Sequence, residues 1–222
     1  RVVAVEDRRA ADRAGIERRG HAAQDRVAGD VLAVVHVAEI ADPRAIADAT
    51  YAAEFAVKVG GHMASSASMV SIMTALWFAH IDGDDKVAVK PHASPVFHAI
   101  KYLMGELDRS YLFRLRERGG LQSYPSRTKD PDVADFSTGS VGLGVVAPLF
   151  AAMTRRYIEH HFARTPQARF IALVGDAELD EGNVWEAVLE DPLQGLGNVT
   201  LLVDLNRQSL DRVVPGIRIR RL

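Results

Sequence analysis

The chain has 222 residues, 48% of them hydrophobic, so it can bury one sizeable core, and no stretch approaches the roughly 18 uninterrupted apolar residues of a membrane span. Its 27 basic residues nearly cancel 29 acidic ones, leaving a formal charge of -2 without the basic footprint of a nucleic-acid binder. Cysteine is absent, which excludes disulfides and thiolate chemistry and agrees with a reducing, cytoplasmic setting.

Residues 1–30 are rich in Ala, Arg and Asp without a firm apolar period, which reads as an exposed helix or a frayed tail. They offer no apolar secretory core, and Glu6, Asp7, Asp12 and Glu17 among the arginines argue against an organelle transit peptide. Val31–Val37 is strand-like on β-branching, with a helix as the open alternative. Met69, Ile72, Met73 and Leu76 then fall at helical spacing, with Ser65 or Ser66 placed to cap the first turn. Val87-Ala88-Val89 is a short strand leading to Lys90-Pro91-His92, and Val96, Phe97, Ile100, Leu103, Met104 and Leu107 make the next amphipathic helix. Residues 108–136 are polar and turn-rich, with Gly119-Gly120 and two prolines, a long irregular connection of the kind that is usually functional or disordered. Gly142 opens a buried helix through Val146, Phe150, Met153, Tyr157 and Ile158, and Pro148 is accommodated in its first turns.

Two apolar runs near the C-terminus break off at groups able to hold a metal and its phosphate. Phe170–Val174 ends in Gly175-Asp176, and Val199–Leu205 ends in Asn206. Each run reads as a buried parallel strand, and ligands of open α/β sheets collect beyond the carboxyl ends of such strands. The ligands are 30 positions apart (206 minus 176), about one βαβ unit, with Val184, Ala187 and Val188 on the connecting helix. A carboxylate and an amide oxygen suit a small hard cation such as magnesium. The alternative for Asp176 is a plain turn former at a strand end. Alternating strands and helices predict an α/β fold, a mainly parallel sheet with helices on both faces joined by right-handed crossovers.

Five stretches in order carry a family resemblance. They are Gly61-His62-Met63-Ala64-Ser65-Ser66-Ala67-Ser68, His92-Ala93-Ser94-Pro95, Gly119–Pro125 running on to Thr138–Gly144, Asp176-Ala177-Glu178-Leu179-Asp180-Glu181-Gly182, and Asn206-Arg207-Gln208-Ser209-Leu210-Asp211. Together they resemble the homodimeric pyruvate dehydrogenase decarboxylating component and the related transketolases, over roughly residues 58 to 214. The resemblance implies thiamine diphosphate and Mg2+ as cofactors. By it, Asp176 and Asn206 ligate the metal through side-chain oxygens and Gln208 through its backbone carbonyl. Gly175, Ala177, Glu178 and Asp204 then line the diphosphate pocket, and Ser65 touches the diphosphate. The turn Gly139-Ser140-Val141-Gly142 cradles the aminopyrimidine ring through its backbone, with Ser140 in the turn and Val141 as an apolar contact. His62 and His92 face the reacting carbon of the thiazolium, where an imidazole titrating near neutrality can move protons.

Two departures stand out. Ala177 replaces the motif's usual glycine, which is harmless at negative φ and costs on the order of 1 kcal/mol at positive φ. Lys90-Pro91 precedes His92 where many relatives carry glycine before the histidine, which is expected to alter the substrate side of the pocket. The adjacent His160-His161 point in different directions on a helix and read as a solvated face.

Residues 58–222 are therefore expected to form most of a diphosphate-binding α/β domain, preceded by a helical or irregular extension over residues 1–57. The opening on Arg1 and the half-basic stretch Ile217–Leu222 are expected to be cuts. The resemblance implies a homodimer, or a partner chain supplying a pyrimidine-binding domain, together with a 2-oxoacid or sugar phosphate substrate and an acyl-carrier component of a complex. It implies neither nucleic acid nor membrane as a partner. Pyruvate decarboxylation is the preferred activity. Transketolase-type ketol transfer, a non-catalytic assembly subunit, and a magnesium phosphotransferase using Asp176 as nucleophile are the alternatives, the last weakened by Glu178 where a second aspartate is wanted.

Overall fold

A computed structural model describes residues 2–6, 51–52, 57–58, 63–205, 208–209 and 212–213. In chain order the strands and α-helices are β1 (Val2–Glu6), β2 (Tyr51–Ala52), β3 (Val57–Lys58), α1 (Met63–Ala75), β4 (Lys86–Ala88), α2 (Ser94–Leu103), α3 (Leu143–His161), β5 (Phe170–Gly175), α4 (Gly182–Val188), β6 (Val199–Leu205), β7 (Gln208–Ser209) and β8 (Arg212–Val213). Four of the strands form a sheet in the order β1-β6-β5-β4, every pairing parallel. The short pairs β2-β3 and β7-β8 are antiparallel.

The apolar run of β5 is buried along its whole length because both of its faces are covered. Alternate side chains point to opposite sides, so Ile171 and Leu173 join Met69 and Met73 of α1 and Val96, Phe97 and Ile100 of α2 in one core. Phe170, Ala172 and Val174 join Val145 and Leu149 of α3 and Val184 and Ala187 of α4 in the other. Each large apolar side chain buried this way contributes about 1.5–3 kcal/mol. The expected two-faced parallel α/β architecture is what these residues build. Among the described residues no helix is long and apolar enough to cross a membrane.

Two local readings are corrected. Val2–Glu6 lies in the stretch read as a helix or tail, yet it is a strand, with Val2 facing Leu201 and Glu6 facing Leu205. The β-branched run Val2-Val3-Ala4-Val5 favours a strand, a signal hidden when residues 1–30 are averaged. The helix α1 begins at Met63, so Ser65 and Ser66 stand inside its first turn rather than capping it. Val31–Val37 lies outside the described residues.

The irregular connection after α2 holds a 3-10 turn at Arg109–Arg114 and is tied down by aspartates. Asp130 accepts the backbone N–H groups of Gln122 and Ser126, both at 2.7 Å. Asp132 meets His98 of α2 at 2.6 Å with both side chains fully buried, and Asp135 accepts the N–H of Val87 at 2.9 Å. Backbone that a helix or strand would satisfy internally is here satisfied by carboxylates. The connection is thereby fixed against α2 and β4.

Candidate cofactor site

Parallel register brings the carboxyl ends of three adjacent strands to one edge. Gly175, the last residue of β5, faces Asp204 of β6, and the chain beyond β4 runs through Lys90 and His92. Asp176 follows immediately and is only 2% exposed. It opens a 3-10 turn, Asp176–Asp180, whose Glu178 carboxylate folds back to accept the N–H of Gly175 at 3.2 Å and of Gly142 at 3.4 Å. Burial pushes the Glu178 carboxyl above its ordinary range, opposed by these two N–H groups and by the charge of Lys90.

Glycine is required at position 142. Its φ is +87°, and a methyl group there would meet the Asn183 Oδ1 of α4 at 2.2 Å. The Gly139–Gly142 turn therefore lies tight against α4 and the Glu178 carboxylate. Val141, at its tip, is 47% exposed, and Ser140 is exposed beside it. Both are accessible to a ring lying on the turn. Gly139 has φ +137° and packs against Tyr124, whose ring meets His92 edge-on at 5.6 Å between centroids.

The first turns of α1 face the same strand ends. Ser66 donates to the backbone carbonyl of His92 at 3.1 Å, and Ser68 donates to Asp204 Oδ2 at 2.6 Å. Ser65 Oγ is buried with no hydrogen-bond partner among the described residues. A buried hydroxyl is costly to leave unpaired, and this one is available to a further acceptor or donor. Lys90 crosses from the end of β4 to Asp204, where its Nζ lies 2.6 Å from Oδ2, the two side chains being 6% and 4% exposed.

Of the residues singled out in the sequence, Ser65, His92, Ser140, Val141, Gly175, Asp176, Ala177, Glu178 and Asp204 fall on this edge or the adjoining turns. Ala177 sits inside the 3-10 turn at negative φ, so alanine is accommodated without strain. His62 and Asn206 lie outside the described residues, so of the metal set Asp176 and the backbone of Gln208, in β7, are described. No cluster of three or more His, Asp or Glu able to hold a metal occurs among the described residues. Lys90 and Ser68 were missed as site residues. Lys90 lies in the strand-end cluster, its ammonium reaching Asp204. His160 and His161 are exposed on α3, as read.

Residues 49–219 match the family model described as 1-deoxy-D-xylulose-5-phosphate synthase, in its N-terminal, thiamine diphosphate-binding part. The chain belongs to that family. It is a thiamine diphosphate-dependent family, related to the pyruvate dehydrogenase E1 component and to transketolase. The chain is 32% identical over 171 residues to the pyruvate dehydrogenase E1 component of Escherichia coli, covering 72% of this chain and 19% of that protein. With the corresponding component of Mycobacterium tuberculosis it shares 33% over 172 residues, 72% of this chain and 18% of the relative. With mouse transketolase-like protein 2 it shares 31% over 166 residues, 70% of this chain and 25% of the relative. A transketolase from Leishmania mexicana superposes with a TM-score of 0.63 at 19% identity, covering 72% of this chain and 25% of that one, which establishes the fold. The domain thus spans about a fifth of the length of the E1 components it matches.

Proposed function

We propose that this chain is the thiamine diphosphate- and magnesium-binding part of a 2-oxoacid dehydrogenase decarboxylating component acting on pyruvate. The observation that carries the reading is the strand-end cluster. A buried Asp176 stands one residue beyond a glycine in register with Asp204, beside a turn held by Gly142 and an unpartnered buried Ser65 hydroxyl. The donor set fits the cofactor. A carboxylate is present for a hard cation, and a hydroxyl and backbone N–H groups are present for phosphate oxygens.

Bound thiamine diphosphate supplies a thiazolium carbon that takes up the electron pair left when the bond beside a carbonyl breaks. The protein's part is anchoring and proton management. Asp176, with Asn206 and the Gln208 carbonyl, would hold the metal; Ser65 and the backbone around Ala177 would hold the diphosphate; the Gly139–Gly142 turn would support the pyrimidine. His92, half-buried and oriented by Tyr124, and His62 move a proton at the substrate oxygen. A pyrimidine-binding domain of a second subunit or partner chain completes the site.

Similarity to E1 components supports pyruvate as the substrate, and similarity to a transketolase-like protein keeps ketol transfer as the second reading. The intact protein is assayed with pyruvate and an artificial electron acceptor, and separately with a ketose phosphate and an aldose acceptor. Pyruvate-dependent reduction of the acceptor is expected; turnover only of the sugar pair selects the second reading. Calorimetry with thiamine diphosphate and Mg2+ tests binding itself, and absence of binding in the intact protein contradicts both.

A further inference from the structure

Lys90 is a buried cation that the family motifs do not call for. A lysine ammonium is seldom fully buried unless paired, and a buried ion pair gains little net stability over apolar replacements. Its retention at a strand end therefore asks for another reason. The side chain starts two residues beyond β4, passes the end of β5 and finishes on β6. A methyl group placed on Gly175 would meet Lys90 Cε at 3.2 Å and Nζ at 3.8 Å. The missing side chain at position 175 thus leaves the lane through which Lys90 reaches Asp204, a reason for glycine there that owes nothing to φ, which is −75°.

At the end of that lane Asp204 Oδ2 receives both Lys90 Nζ and Ser68 Oγ, each at 2.6 Å. An ammonium has three N–H donors. Asp204 takes one, and no other hydrogen bond of this ammonium occurs among the described residues. Glu178 is near enough for the lysine charge to act on it, and Asp176 is its neighbour in the same turn. Three carboxylates at one strand edge would repel a phosphate group. Lys90 offsets one of them and keeps donors at that edge that Asp204 does not use.

We propose that Lys90 is a positioning residue for the terminal phosphate of the cofactor, held on Asp204 and Ser68 so that the site discriminates a diphosphate from a monophosphate. The inference rests on the thiamine diphosphate reading above. Asp204 is then the anchor for Lys90 more than a direct lining group. Gly175 keeps the path between them open.

The test measures binding of thiamine monophosphate and thiamine diphosphate, each with Mg2+, by calorimetry on the intact protein. Wild type, Lys90→Gln and the pair Lys90→Gln/Asp204→Asn are compared, with a melting scan of each. Wild type prefers the diphosphate. Lys90→Gln loses about tenfold or more of diphosphate affinity, the scale of one charge-assisted hydrogen bond, while monophosphate binding holds. The paired variant removes the stranded Asp204 charge, so its melting temperature recovers while the lost discrimination does not. Unchanged discrimination in Lys90→Gln, with only a lower melting temperature, overturns the proposal and leaves a structural pin. Recovery of discrimination in the paired variant overturns it too. A wild type that binds neither compound overturns this inference together with the proposed function, whereas the two preceding outcomes leave that function standing.

Discussion

Gly142→Ala probes the turn on which the proposed pyrimidine support depends. Two costs add. Alanine at φ +87° is strained by about 1 kcal/mol, and its methyl group would lie 2.2 Å from Asn183 Oδ1, far inside contact distance. Relieving that overlap means displacing α4 or the turn, an overpacking cost of about 1–3 kcal/mol. The total is about 2–4 kcal/mol. Scanning calorimetry of the intact protein follows the transition of this domain in wild type, Gly142→Ala, Asn183→Ala and the double variant. The double variant removes the group the methyl meets, so it should recover the overpacking part and retain about 1 kcal/mol from φ. Thiamine diphosphate affinity should fall in Gly142→Ala and return partly in the double variant. A Gly142→Ala protein as stable as wild type, or a double variant showing no recovery, refutes the reasoning.

Ser65→Ala removes a buried hydroxyl that lacks a partner, so the melting temperature should hold or rise while cofactor affinity drops about five- to tenfold; a drop in stability with unchanged affinity contradicts the assignment. Glu178 has a raised pKa, so the folded state holds its proton more tightly than the unfolded one. Its contribution to stability is complete below the ordinary value of 4.5 and is lost as pH rises through the raised folded value. Stability measured upward from that point should decline more in wild type than in Glu178→Gln, and parallel curves contradict the burial argument. His98→Leu or Asp132→Leu strands the other polar group at 0% exposure, costing about 3–5 kcal/mol, whereas the double leucine variant should recover most of it; urea midpoints decide.

The core was legible because its signals are local. Phe170–Val174 is apolar and partly β-branched, and that alone marks a strand buried on both faces. Gly175-Asp176 at its end located the site edge for the same reason. The reach of Lys90 to Asp204 is not legible in the sequence, since it depends on β4 and β6 flanking β5, a fact of strand order rather than of spacing. A side chain at position 175 would crowd Lys90 Cε at 3.2 Å, and nothing in the linear chain links positions 90, 175 and 204. Ser65 was read as a cap or a phosphate contact. The start of α1 at Met63 removes the first option, and the unpartnered hydroxyl favours the second. The strand Val2–Glu6 was hidden by its charged neighbours, because its place in the sheet is set by pairing with β6.

The most direct test replaces magnesium by manganese in crystals of the intact protein grown with thiamine diphosphate and locates the metal by anomalous scattering. The account predicts a peak within about 2.0–2.3 Å of an Asp176 carboxylate oxygen, shared with Asn206 and with phosphate oxygens. A metal and diphosphate bound away from the ends of β5 and β6, with Asp176 unligated, contradicts it.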